Sequence, residues 1–283
     1  MTSFDVIAYL RGLLKAKKIG HAGTLDPGAV GVLPVCIGNA TKVIDFMTDS
    51  VKNYRGELTL GIATDTQDSF GTIIAESEVR ASQQQIIDSV KAFTGKILQI
   101  PPMYSAIKID GKRLYDLARK GEIIERKPRE IEIYSISIVN IKGNKVLFDV
   151  ECSKGTYIRT LCADIGEKLG CGGHMSFLAR VRVGIFDISS AMTLEDIEDL
   201  CRCSNLDKVL MKVDEAFSGL EYLHLSDNDG KKLLNGVLVH VDGKEFKKGD
   251  LLRVYNSDNY FIALGEIVDG ESCLLLKSKK VFK

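Results

Sequence analysis

Residues 131–151 leave the chain little choice of local geometry. Two β-rich runs, 131–139 and 145–151, flank Gly143-Asn144, a dipeptide that turns a chain back on itself. An antiparallel pair is expected there. A helix should follow over 156–169, closed by Gly170. Other helices announce themselves by their caps. Thr2 or Ser3 can start one that runs through Leu14. Ser82-x-x-Gln85 is a capping box for a helix carrying Ile86, Ile87, Val90 and Phe93, stopped by Gly95. Thr193, with Glu195 and Asp196 behind it, starts another. Residues 57–60 alternate like a strand, 64–69 are turn-like, and 20–38 read as a glycine- and proline-rich loop leading into a buried strand at Val35-Cys36-Ile37. From about residue 220 the texture changes. Ser226-x-x-Asp229 starts a short helix ending near Gly236, and β-like runs follow at 237–241, 251–255, 261–264 and 273–276. A boundary between 213 and 222 would divide a large domain, 1–215, from a small β-rich one, 220–283. Helices and strands are both present, and an α+β class is expected.

Composition sets limits on function. The 283 residues are 45% hydrophobic and 27% charged, ordinary values for a globular protein. No apolar run is long enough to cross a bilayer, and no basic patch with an apolar h-region marks the start. Seven irregularly spaced cysteines then read as reduced thiols, and a cytoplasmic location is expected. Cys171 to His174 and Cys201-Arg202-Cys203 lack matching partners at zinc-ligand spacing, so no metal is expected. Zero net charge argues against coating nucleic acid non-specifically. The charge is nonetheless uneven. Lys108, Lys112, Arg113, Arg119, Lys120, Arg126, Lys127 and Arg129 crowd a basic segment, whereas 187–215 is acidic. This would orient a polyanion, or it is simply two solvated faces.

Three segments carry chemistry. In 20–27, Pro27 pushes Asp26 out of the α region, and the glycines allow close approach to the backbone. A carboxylate is thereby held on a loop beside a buried strand. That suits catalysis, but it also suits a plain Asp-Pro turn or a phosphate cradle that lacks P-loop spacing. In 152–160, Thr156 looks like an N-cap, which puts Arg159 in the first helical turn. A cation there opposes the helix dipole unless an anion, such as a bidentate carboxylate, faces it. In 101–108 and on to Tyr115, basic and aromatic side chains interleave, as on RNA-contacting surfaces or in an ordinary basic loop.

Taken in order, these segments resemble a known family. His21-Ala22-Gly23-Thr24-Leu25-Asp26-Pro27, continuing through Ala29, Gly31-Val32-Leu33 and Gly38-x-Ala40-Thr41-Lys42, is similar to the signature of the TruB pseudouridine synthases. Tyr54 with Leu60-Gly61-x-x-Thr64-Asp65-Thr66-x-Asp68, then Pro101-Pro102-x-Tyr104-Ser105-Ala106-x-Lys108, Gly155-x-Tyr157-Ile158-Arg159-Thr160, and Leu178-x-Arg180 with Gly184 also fit. The match runs from residue 2 to about 214. The family's usual leading strand and Lys-Pro-x-Gly turn are missing before Thr2-Ser3, so the chain is expected to start late. Val30 stands where Ser or Thr is usual, and a local packing change is expected.

The resemblance implies a pseudouridine synthase fold, a mixed and mostly antiparallel sheet flanked by helices, with a PUA-like RNA-binding domain at the C-terminus. It implies conversion of uridine to pseudouridine at position 55 in the tRNA T loop, without cofactor or metal. Asp26 would be the nucleophile, Arg159 would hold it ionised, and Tyr54 would stack on the flipped base. His21 would fill the space the flipped nucleotides leave. Tyr157 and Leu178 would wall the pocket, with Lys108 supporting it. The segment 99–129 would form an arm gripping the T arm of tRNA, and the protein is expected to act as a monomer without an obligate protein partner. A guide-RNA-dependent synthase and a non-catalytic RNA-binding protein are the alternatives.

Overall fold

The computed structural model describes residues 1–109, 111–122, 124–241, 246–271 and 273–282, with the backbone alone at Lys108 and Arg113. Its backbone packs as two compact units. The first comprises 1–3, 23–34 and 48–191; the second comprises 4–22, 35–47 and 192–283.

The first unit is built on a seven-stranded sheet. Across it lie Phe186–Asp187, Gly173–Val183, Lys52–Leu60, Lys145–Cys152, Arg129–Lys142 and Gly95–Gln99, all antiparallel, while Val30–Gly31 adds a short parallel contact to Gly173–Val183. The sheet is thus mixed and mostly antiparallel. Lys142 pairs with Lys145, so Gly143-Asn144 is the two-residue turn the sequence requires. Strict alternation buries Val146, Phe148, Val150 and Cys152 on one face of their strand. The helices Gln83–Lys91 and Ile158–Lys168 cover that face, and Ile86, Val90, Leu161 and Ile165 join the strand residues in one core. Ser82 and Gln85 form the expected capping box, but the helix ends at Lys91, and Gly95 opens the next strand instead of closing the helix.

Other local expectations change as well. Residues 57–60 are only the end of a nine-residue strand, Lys52–Leu60. The N-cap of Ile158–Lys168 is Tyr157, because Thr156 turns its hydroxyl away to donate to the Ser153 carbonyl at 3.0 Å. Val30 is 53% exposed, so its replacement of a hydroxyl leaves the core untouched. Within 99–129 a short helix, Leu114–Ala118, buries Leu114 and Leu117, so part of the expected arm has a packed root.

The second unit holds the helix Phe4 to Leu14, the strand pair Ile19–His21 and Val35–Ile37, and the helix Leu194–Arg202 with its Thr193–Asp196 capping box. Ile7, Leu10 and Ile19 pack with Leu194 and Ile197. Gly20 and His21, expected in a loop, are strand residues, because Gly20 faces Cys36 and His21 faces Val35 across the pair. A five-stranded sheet follows in the order Tyr222–His224, Leu251–Tyr255, Phe261–Asp269, Leu274–Val281, Val239–His240. The helix Asp227–Leu234, capped by Ser226, packs with it. The C-terminal region is therefore β-rich, as expected. Compactness, however, groups it with residues near the N-terminus that the change of texture would place in the large domain. Among the described residues, no helix is long and apolar enough to cross a membrane.

Candidate active site

The carboxylate of Asp26 lies on a tight turn. The Ala29 N–H donates to the Asp26 carbonyl at 2.9 Å, with Pro27 inside the turn. The turn is anchored from both sides. Ser3 Oγ accepts from the Leu25 N–H at 3.0 Å. Downstream, Val30–Gly31 lies parallel to Ala179-Arg180. Gly31 has φ +106° and its Cα abuts the Arg180 backbone carbonyl, so neither its conformation nor its space admits a side chain.

Arg159 approaches Asp26 as a fork. Its Nε donates to Oδ2 at 2.8 Å and its Nη2 to Oδ1 at 3.2 Å. The same guanidinium donates to the carbonyls of Tyr104, at 2.9 Å, and Thr66, at 3.2 Å. Its side chain is 5% exposed, whereas that of Asp26 is 40% exposed. The cation is thus fixed at the back while the carboxylate faces outward. This resolves the cation in the first helical turn, since an anion sits against it. A second carboxylate, Asp68, lies 3.9 Å from Arg159 Nε. Asp68 also accepts from Thr66 Oγ1 and from the Phe70 N–H, which shapes the loop between Thr64 and Gly71. Gln67 ties that loop to the helix by accepting from Thr160 Oγ1 at 2.8 Å.

Tyr54 and Leu178 come from neighbouring central strands and are 9% and 6% exposed. Burial pushes the Tyr54 hydroxyl up to about 12, a shift opposed by the positive charge of the Arg180 guanidinium. Arg180 is 1% exposed. It donates through Nε to the Val32 carbonyl and through Nη2 to the Gly23 carbonyl, each at 2.9 Å. One buried cation therefore holds both ends of the segment carrying Asp26. Tyr157 is set by Gln99, whose side-chain amide accepts from the Tyr157 N–H at 2.8 Å and donates to its carbonyl at 3.1 Å. Burial raises the Tyr157 pKa too.

A cavity of about 110 Å³ opens between these groups, lined by Asp26, Tyr54, Tyr157, Arg159, Leu178 and Thr24 among others. It joins a carboxylate, a chemistry able to serve as nucleophile or base, to a fixed guanidinium and to aromatic and aliphatic walls suited to a small planar ring. Asp26, Tyr54, Arg159, Tyr157 and Leu178, all singled out from sequence, meet here. His21 lies in the other compact unit, where its ring stands edge-on to Phe4 with centroids 5.8 Å apart. The side chain of Lys108 lies outside the described atoms. Asp68, Arg180 and Gln99 were not singled out. The first two stand within quoted motifs, Thr66-x-Asp68 and Leu178-x-Arg180. Gln99 carries no comparable mark, since a strand-end glutamine is usually solvated. Cys171 and His174, weighed as half a metal site, bond instead to backbone: Cys171 Sγ to the Gly166 and Gly172 carbonyls, His174 Nδ1 to the Ile62 carbonyl.

Comparison with known proteins bears on this geometry. The family model described as TruB family pseudouridylate synthase (N terminal domain) matches residues 11–158, and that of the tRNA pseudouridylate synthase B C-terminal domain matches 159–218. The tRNA pseudouridine synthase B of Clostridioides difficile (strain 630) is 45% identical, over 100% of this chain and 96% of the relative. That of Alkaliphilus oremlandii (strain OhILAs) is 51% identical over 85% of this chain and 79% of its own. Among solved structures, a Cbf5-Nop10-Gar1 complex matches with a TM-score of 0.79 and 29% identity, covering 100% of this chain and 82% of the other. An H/ACA RNP bound to a substrate RNA containing 2'-deoxyuridine matches at 0.76 and 26%, again over 100% and 82%.

Proposed function

Because the chain belongs to the TruB family of pseudouridylate synthases and isomerises uridine in tRNA, we propose that its target is the T-loop uridine at position 55 and that Asp26 is the nucleophile. The observation that carries this reading is the bidentate Arg159–Asp26 pair on the wall of a small pocket lined by Tyr54 and Leu178.

The chemistry follows from the arrangement. The uridine must leave its stack, at a cost of a few kcal/mol. Tyr54 receives it by stacking, which returns about 1–3 kcal/mol. Asp26 attacks C6 of the base or C1′ of the ribose. The bond between N1 and C1′ breaks, the uracil turns, C5 bonds to C1′, the bond to Asp26 breaks and returns the carboxylate, the C5 proton departs and N1 takes up a proton, so the product is an isomer of the substrate. Arg159 keeps the carboxylate aimed throughout. Tyr157 and Leu178 exclude water from the reacting groups. The segment 99–129 grips the T arm by phosphate and shape, and 220–283 acts as a PUA-like RNA-binding domain. The dense basic charge of 99–129 favours an enzyme that grips free tRNA without helpers, over one that depends on a guide RNA and partner proteins.

Incubation with an unmodified T-arm stem-loop, followed by mapping of pseudouridine, tests the reading. Modification at one loop uridine is expected; modification elsewhere or none overturns it. Asp26→Asn should abolish tritium release from C5-labelled tRNA while leaving binding within about tenfold. Lost binding would make Asp26 structural, and retained activity would remove it from the chemistry.

A further inference from the structure

An aromatic ring stands beside the catalytic turn without any part in the chemistry above. Phe70 is 77% exposed, an unusual state for so large an apolar side chain. It is not loosely placed. The Phe70 N–H donates to Asp68 Oδ1 at 3.0 Å, so the carboxylate that faces Arg159 also sets the backbone of Phe70. The edge of its ring packs directly over Gly28, two residues beyond Asp26 and within the same turn. Gly28 is not among the residues of positive φ, so its backbone conformation does not demand glycine. A Cβ there would meet the outer edge of the Phe70 ring, which would have to swing aside. The chain therefore leaves a gap in the catalytic turn, and an exposed aromatic ring lies across it.

We propose that Phe70 is a substrate-positioning residue whose ring stacks on a base adjacent to the target uridine in tRNA. Three observations select this occupant. The substrate is tRNA, and a base extruded into the pocket leaves its neighbour with an uncovered face. Phe70 is not among the residues lining the pocket, so its ring is left for a base outside it. Phe70 borders the turn that carries Asp26, so a nucleotide next to one bound at Asp26 passes close by. Stacking on an aromatic side chain is tolerant of sequence, so the contact would contribute affinity and alignment without choosing among bases. The proposal rests on the reading of the site as a uridine pocket.

The test compares wild type with Phe70→Ala and Phe70→Trp on an unmodified T-arm stem-loop, and on two stem-loops in which one or the other neighbour of the target is abasic. Phe70→Ala is expected to raise KM about tenfold on the intact stem-loop, with Phe70→Trp restoring it and melting temperature unmoved. On one of the abasic substrates, wild type and Phe70→Ala should converge. Equal KM on the intact stem-loop would overturn the proposal. So would a penalty of the same size on all three substrates, which would mean that the ring only braces the turn. Wild type that modifies no T-loop uridine would instead refute the underlying reading of the site.

Discussion

Asp26 and Arg159 divide two tasks between them. One is exposed enough to meet a ligand, and the other is buried enough to stay put. Tyr54 is held by a different balance. Its hydroxyl is raised above the ordinary value near 10 chiefly because burial disfavours the phenolate, with Arg180 working the other way. The folded state thus favours the neutral ring. That contribution is fully present below about pH 10 and is lost as pH climbs from about 10 towards 12. Denaturant titrations of wild type should therefore show a stability loss across that window which Tyr54→Phe lacks; parallel curves would contradict the assignment. Turnover should show no limb from Tyr54 below about pH 10. Tyr54→Ala should slow turnover far more than it weakens binding, and an unchanged rate would remove the ring from the pocket.

At the scale of elements, the site is a junction of loops held by one buried cation. Arg180 sits on the strand Gly173–Val183 and reaches the carbonyls of Gly23 and Val32, which bracket the catalytic turn. Replacing it with Met leaves buried acceptors without donors and should cost about 2–5 kcal/mol of stability. Even where the variant folds, turnover should fall while the pocket walls remain, because the turn is no longer tied at both ends. Arg180→Met with wild-type melting and kinetics would show that the turn holds itself. The helices, the caps at Ser82, Thr193 and Ser226, and the hairpin at Gly143-Asn144 were legible from local spacing. The nine-residue length of Lys52–Leu60 was not, because Asn53 and Arg55 are polar. They suit the strand only because Glu151 and Asp149 lie opposite them and bond to them.

For the whole molecule, zero net charge conceals the basic segment 108–129. Binding of a polyanion depends on where charge is placed, not on the sum. Changing Lys120, Lys127 and Arg129 to Gln should weaken tRNA binding and make the plot of log K against log salt shallower by roughly 2–3, at about 0.7–0.9 for each phosphate no longer neutralised. The rate at saturating tRNA should hold. An unaltered salt slope would show that those side chains do not meet phosphates. The two compact units show a related limit of the linear reading. A change in texture near residue 220 suggests one cut, yet the chain passes between the units repeatedly. Texture records local composition, while compactness depends on which segments pack, and Ile7 packs with Leu194 across a separation that no window of sequence spans.

The sequence alone determined the chemistry-bearing types and their order: an Asp-Pro carboxylate, an arginine in a helix's first turn, a strand tyrosine and a late Leu-x-Arg. Spacing and capping are local, so they survive in one dimension. Only the tertiary structure decided which of these meet. It turned an unexplained cation into the partner of Asp26. It made Arg180 the anchor of the Asp26 turn, and it showed that the Phe70 ring, 42 positions later, lies over Gly28. Such pairings depend on distances across the sheet, which the order of residues does not encode locally.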